Sequence, residues 1–151
     1  MDNDDVIDTL NDLIETSKDG EYGFQSCAEH AKSTTLKQVL SQRASDCQQA
    51  IGELQALVRG LGGKPEDSGS ASGAVHRGWV AVKGTLAGHT DLALLEECER
   101  GEDVALTRYR KALEQDLPLS IKQVVQRQSD GARRNHDQIR LLRDQERAAK
   151  A

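Results

Sequence analysis

Two glutamates, Glu21 and Glu102, lie at matching places in a short internal repeat and are the first candidates for chemistry. The same residue types recur in the two copies at a constant offset of 81 residues. The matching pairs are Leu13 and Leu94, Glu15 and Glu96, Gly20 and Gly101, and Glu21 and Glu102. In each copy the helical spacing places the second glutamate on the apolar stripe. Carboxylates facing each other inside a helical bundle can bridge two divalent metals.

A complete carboxylate-bridged di-iron centre also needs a Glu-x-x-His motif on the second and fourth helices of the bundle. His136 lies on the inward stripe of the last predicted helix, at about 119–147, which is the fourth long helix of the bundle. The residue three positions before it is Arg133. The second helix has no histidine, and the segment nearest to the motif begins at Asp46. An arginine at such a site competes with metal for the carboxylates. The ligand set is therefore incomplete.

Several interpretations of this cluster stay open. The preferred one is a degenerate site, in which Arg133 and His136 neutralise Glu21 and Glu102 through a polar network and no cofactor binds. A second is a single, weakly bound divalent metal, iron or manganese, on Glu21, Glu102 and His136. A third is a working di-iron oxidase. In a fourth, the faces assigned to these helices as inward are wrong, and the two glutamates lie on the surface. An enzyme is therefore less expected than a non-catalytic protein.

Apolar residues recur at intervals of three and four in five segments, which predicts five helices. They cover about 4–32, 36–61, 74–87, 92–115 and 119–147. Short loops make hairpins of the first and second long helices and of the last two, while residues 62–91 are numerous enough to cross the bundle. This predicts an all-α, ferritin-like antiparallel four-helix bundle forming one domain over 1–151. The short helix places Trp79 as a plug on the side or end of the bundle.

Composition excludes several other classes of protein. A net charge of −5 argues against a broad nucleic-acid surface, and no apolar run is long enough for a membrane span. The three cysteines cannot all pair with one another and have no zinc or redox spacing, which indicates reduced thiols in the cytoplasm. The acidic N-terminus does not have the pattern of a signal peptide. No phosphate-binding loop, dinucleotide fingerprint or nucleophilic triad is present.

Four segments carry a resemblance to a known family: 13–24, 53–65, 76–79 and 95–103. With them the chain resembles the uncharacterised bacterial four-helix-bundle proteins of the ferritin-like group, over nearly its whole length. The resemblance implies a ferritin-like fold and no particular reaction. The broader ferritin-like superfamily implies metal and oxidase chemistry, from which this chain departs at the second helix and at Arg133.

Two classes of function follow. The first is a non-catalytic helical protein, with a stress-related role as one expectation, that acts by self-association as a homodimer or by binding an unknown protein partner. The second is a divalent-metal-binding or redox bundle that uses Glu21, Glu102 and His136.

Overall fold

A computed structural model of the chain describes residues 1–67, 79 and 90–150, apart from the side chain of residue 150. These residues form four helices and no strand, and the helices are α1 (Asn3–His30), α2 (Thr34–Gly60), α3 (Asp91–Leu113) and α4 (Leu119–Lys150). The predicted all-α bundle is confirmed, with helix ends within three residues of those expected. The short helix predicted over 74–87 lies outside the described residues, except for Trp79.

Short polar side chains fix where the helices begin. The side chains of Asp2, Ser33 and Thr90 each accept a hydrogen bond from the backbone amide three residues further on, at the starts of α1, α2 and α3. Such caps satisfy amides that have no partner inside the helix. The carboxylate of Asp91 also accepts from the amides of Lys32 and Ser33, at 2.8 and 2.9 Å. This contact ties the start of α3 to the turn between α1 and α2.

The helices pack as two hairpins, α1 with α2 and α3 with α4. The hairpins meet mainly through α1 and α3, whereas α2 and α4 scarcely touch. Two apolar clusters fill the two ends of the bundle: one includes Phe24, Leu40, Leu95 and Ile139, and the other includes Leu10, Leu54 and Val125. The stretch between them, which we call the waist, carries the buried polar side chains.

Trp79 packs between α1 and α3 at two glycines. An ideal Cβ built on Gly23 would lie 2.2 Å from the indole Cδ2, and one built on Gly101 would lie 2.3 Å from the indole Cζ2. Only residues without a side chain allow the ring this close to both helix backbones. Trp79 is 3% exposed, as expected of a residue that plugs the side of the bundle. The sequence repeat pairs Gly101 with Gly20, but the glycine that shares the indole with Gly101 is Gly23.

We expect Gly101→Ala to lower the free energy of unfolding by about 1–3 kcal/mol, because the new methyl group overlaps the indole of Trp79. Gly52→Ala is the matched control, since it lies inside α2 with nothing within 4 Å of its added Cβ. It should stabilise the protein by about 0.5–1 kcal/mol through helix propensity alone. Urea unfolding followed by circular dichroism measures both. Equal effects of the two substitutions would contradict the packing described.

Candidate functional site at the waist

Glu102 is the most deeply buried charged side chain at the waist, at 1% exposure. Arg43 of α2 donates to both of its carboxylate oxygens, from Nε to Oε2 and from Nη2 to Oε1, each at 2.9 Å. Asn135 of α4 donates from Nδ2 to Oε2 at 2.6 Å. The carboxylate is thus held by a bidentate ion pair and an amide, the strongest class of hydrogen-bonded contact in proteins.

Arg43 is also buried, at 8% exposure against 1% for Glu102. Its guanidinium carbon lies 5.7 Å from the centre of the Phe24 ring, a cation–π distance. Burial by itself would lower the pKa of Arg43, but Cys47 and the hydrogen-bonded carboxylate of Glu102 raise it above its ordinary value. Arg43 therefore remains a cation inside the bundle. The pair joins α2 to α3, which occupy opposite corners of the bundle.

The identity of the buried cation corrects one expectation. Arg133, expected to neutralise the glutamates, is exposed on α4, and the guanidinium on Glu102 is that of Arg43. Arg43 follows the buried Leu40 by three residues, and this helical spacing places it on the inward stripe of α2. Asn135 was not recognised from the sequence, although it lies three residues after the buried Ala132 and hence on the same face of α4.

The remaining candidates lie apart from this pair. Glu21 is half-buried along the groove between α1 and α2. Asp46 is exposed and accepts a hydrogen bond from Gln42 at 2.9 Å. His136 is buried with its Nε2 2.8 Å from an Asp103 carboxylate oxygen and 3.8 Å from one of Glu99. Among the residues that the structure describes, no contact joins Glu21, Glu102 and His136.

The groups around Glu102 do not fit a di-metal centre. A bridging carboxylate needs further carboxylates or imidazoles from the neighbouring helices, all of which are electron-pair donors to a cation. Here α2 and α4 supply the N–H groups of Arg43 and Asn135, which are complementary to an anion. Within the described ranges, no group of three or more histidine, cysteine, aspartate or glutamate side chains is arranged to hold a metal.

A cavity of about 250 Å³ extends from this pair along the waist. Polar walls come from Thr16 and Ser17 of α1 and from Tyr109 and Gln128, where the Tyr109 hydroxyl donates to the Gln128 side-chain oxygen at 3.1 Å. Burial raises the pKa of the Tyr109 hydroxyl to about 12. Burial likewise raises the pKa of the neighbouring Cys47 thiol to about 12, which disfavours a nucleophilic role.

We expect Glu102→Gln to lower the free energy of unfolding by about 3–5 kcal/mol, because it leaves the Arg43 guanidinium buried without its counter-charge. Glu53→Gln is the matched control, since Glu53 pairs with Arg127 in a bridge whose side chains are 29% and 57% exposed. Its loss should cost about 1 kcal/mol or less. Chemical denaturation at neutral pH measures both. A loss at Glu102 as small as that at Glu53 would contradict the assigned role.

Comparisons with known proteins agree with the fold. The family described as "Domain of unknown function (DUF2383)" matches residues 5–115. Among solved structures, the chain is similar to a protein from Bacteroides fragilis, whose structure is titled as a dodecameric thioferritin and a bacterioferritin-related protein. The two superpose with a TM-score of 0.83 over 99% of this chain and 91% of that one, at 13% sequence identity. At this identity the likeness shows the fold alone. No curated protein matches the sequence.

Proposed function

Because the chain belongs to the family described as "Domain of unknown function (DUF2383)" and has a ferritin-like fold, we propose that it is a non-catalytic ferritin-like protein that acts by self-association. In this proposal an internal ion pair has replaced the di-metal centre. The observation that carries it is that both carboxylate oxygens of Glu102 accept hydrogen bonds from Arg43 and Asn135.

A metal at this position would have to displace Arg43 from Glu102. The displaced guanidinium would stay buried without a counter-charge, a loss of about 3–5 kcal/mol in comparable buried pairs. Binding would also bring a second positive charge next to the first. Weak divalent-metal binding through Glu21, Glu102 and His136 is therefore the less favoured alternative. Metal content and metal titration distinguish it from the proposed function.

We expect protein purified without chelator or metal-affinity tag to contain no stoichiometric iron or manganese. Titration with iron(II) or manganese(II) in the calorimeter should give no saturable heat. Arg43→Glu should gain a manganese-dependent rise in melting temperature, because a second carboxylate then faces Glu102 and a ligand of the folded state stabilises it. Arg59→Glu is the control, since it adds the same charge on the exposed surface of α2.

A stoichiometric metal in the wild-type protein that disappears in Glu102→Ala would overturn the non-catalytic proposal and favour the metal-binding alternative. Equal manganese responses of Arg43→Glu and Arg59→Glu would also contradict it, because they would locate the binding outside the waist.

Self-association is supported by the outer face of α4. Leu119 and Leu141 are 72% and 58% exposed, the largest exposures among the bulky apolar side chains of the described residues. The similar Bacteroides fragilis protein is described in its title as a dodecamer. None of the four described helices is apolar enough over its length to cross a membrane. The proposal also places the protein in the cytoplasm, because its three cysteines are unpaired, buried thiols.

We expect the wild-type protein to have a mass in solution that is a multiple of the 16.5 kDa chain, measured by light scattering coupled to size-exclusion chromatography. Leu141→Glu should lower that mass, because an interface core excludes an uncompensated charge. Gln123→Glu, which adds the same charge to another exposed position of α4, should leave the mass unchanged. A wild-type protein that stays at the mass of one chain would refute self-association.

A further inference from the structure

The waist cavity adjoins an outer groove, and Arg43 of the ion pair lines both. Asp46 of α2 and Gly131 and Arg134 of α4 line both the cavity and an outer groove that runs between these two helices. The opposite side, between α1 and α3, contains Trp79 packed against Gly23 and Gly101. Since α2 and α4 scarcely touch, a small molecule can enter from their side.

Part of the cavity wall is apolar and aromatic. Phe24 and Trp79 contact each other edge to face, with ring centroids 5.0 Å apart, and both line the cavity. Val104 and Ala105 of α3 extend this apolar wall. A compact hydrocarbon or aromatic group would thus have surface to pack against, as in most small-molecule sites.

Two of the arginines in the cavity wall make no salt bridge with a carboxylate among the described residues. Four arginines line the cavity: Arg43, Arg108, Arg127 and Arg134. The first pairs with Glu102 and the third with Glu53. Arg108 donates to the Thr16 hydroxyl at 3.2 Å, and neither it nor Arg134 makes a salt bridge with a carboxylate among the described residues. Of the two further carboxylates in the wall, Asp46 accepts from the side-chain amide of Gln42, and Asp19 has a partner of its own.

We propose that this cavity binds a small organic carboxylate. Its apolar body contacts Phe24 and Trp79, and its carboxylate faces the guanidinium groups of Arg108 and Arg134. Guanidinium groups present planar pairs of N–H donors that match a carboxylate, and of these two Arg108 is half-buried and Arg134 is exposed beside the outer groove. The volume of about 250 Å³ limits the ligand to roughly the size of a single substituted ring. The inference goes beyond self-association and requires no metal.

The test uses three probes on the full chain: benzoate, its neutral counterpart benzyl alcohol, and inorganic phosphate. Trp79 is the only tryptophan and lines the cavity, so its fluorescence reports occupancy directly, and calorimetry gives the affinity. We expect benzoate to bind saturably at millimolar or lower concentration, and at least tenfold more tightly than benzyl alcohol or phosphate. Benzyl alcohol lacks the charge, and phosphate lacks the apolar body.

The variants separate the two parts of the site. Arg108→Gln and Arg134→Gln should each weaken benzoate roughly tenfold and leave benzyl alcohol unchanged, because each removes a charged hydrogen-bond donor. Arg110→Gln and Arg133→Gln are the matched controls, since both arginines are exposed and neither lines the cavity. Ala105→Phe, which fills the apolar wall, should abolish binding of both aromatic probes, with circular dichroism verifying that the helices remain folded.

Three results would overturn the inference. The first is no saturable fluorescence change with benzoate at millimolar concentrations. The second is phosphate binding as tightly as benzoate, which would make the site a simple anion site. The third is equal weakening of benzoate by the Arg134→Gln and Arg133→Gln variants, which would place the anion on the outer surface of α4. None of these results bears on metal content or on the mass of the assembly, so the outcome is distinct from that of the proposed function.

Discussion

The buried ion pair between Arg43 and Glu102 is the constraint on which the middle of this bundle depends. Removing two opposite charges from water costs several kcal/mol for each, and only good geometry and further hydrogen bonds offset that cost. Here the pair is bidentate, Asn135 adds a third donor, and Phe24 lies beneath the guanidinium. Because α2 and α3 occupy opposite corners, the pair sets the width of the bundle along one diagonal.

That width has consequences for the two sides of the bundle. On one side Trp79 fills the space between α1 and α3, which only Gly23 and Gly101 make possible. On the other side α2 and α4 stay apart, and a cavity with polar and aromatic walls remains between the two apolar clusters. The end clusters provide the hydrophobic stabilisation, and the waist carries the polar groups.

Ferritin-like di-iron proteins hold their metals with carboxylates and imidazoles in the bundle core, so the residue types in the core decide the chemistry. An arginine and an amide nitrogen around one glutamate stabilise an anion and oppose a cation. The architecture is similar to that of a bacterioferritin-related protein, while the groups around Glu102 are hydrogen-bond donors that suit an anion.

The sequence by itself determined the four long helices, their hairpin pairing and the position of Glu102 on the inner face of α3. These follow from local periodicity, short loops and capping residues, all of which act over a few neighbouring residues.

Only the tertiary structure decided which groups meet. Glu21 and Glu102 occupy matching places in the repeat, yet Glu21 lies half-buried between α1 and α2 while Glu102 is enclosed. The choice of Arg43 over Arg133 as partner, and of Gly23 over Gly20 as the contact of Trp79, depends on the rotation and axial offset of packed helices. Successive side chains of a helix point about 100° apart, so a small rotation of the helix about its axis changes which side chain faces inward. Ridge-into-groove packing of all four helices together fixes that rotation.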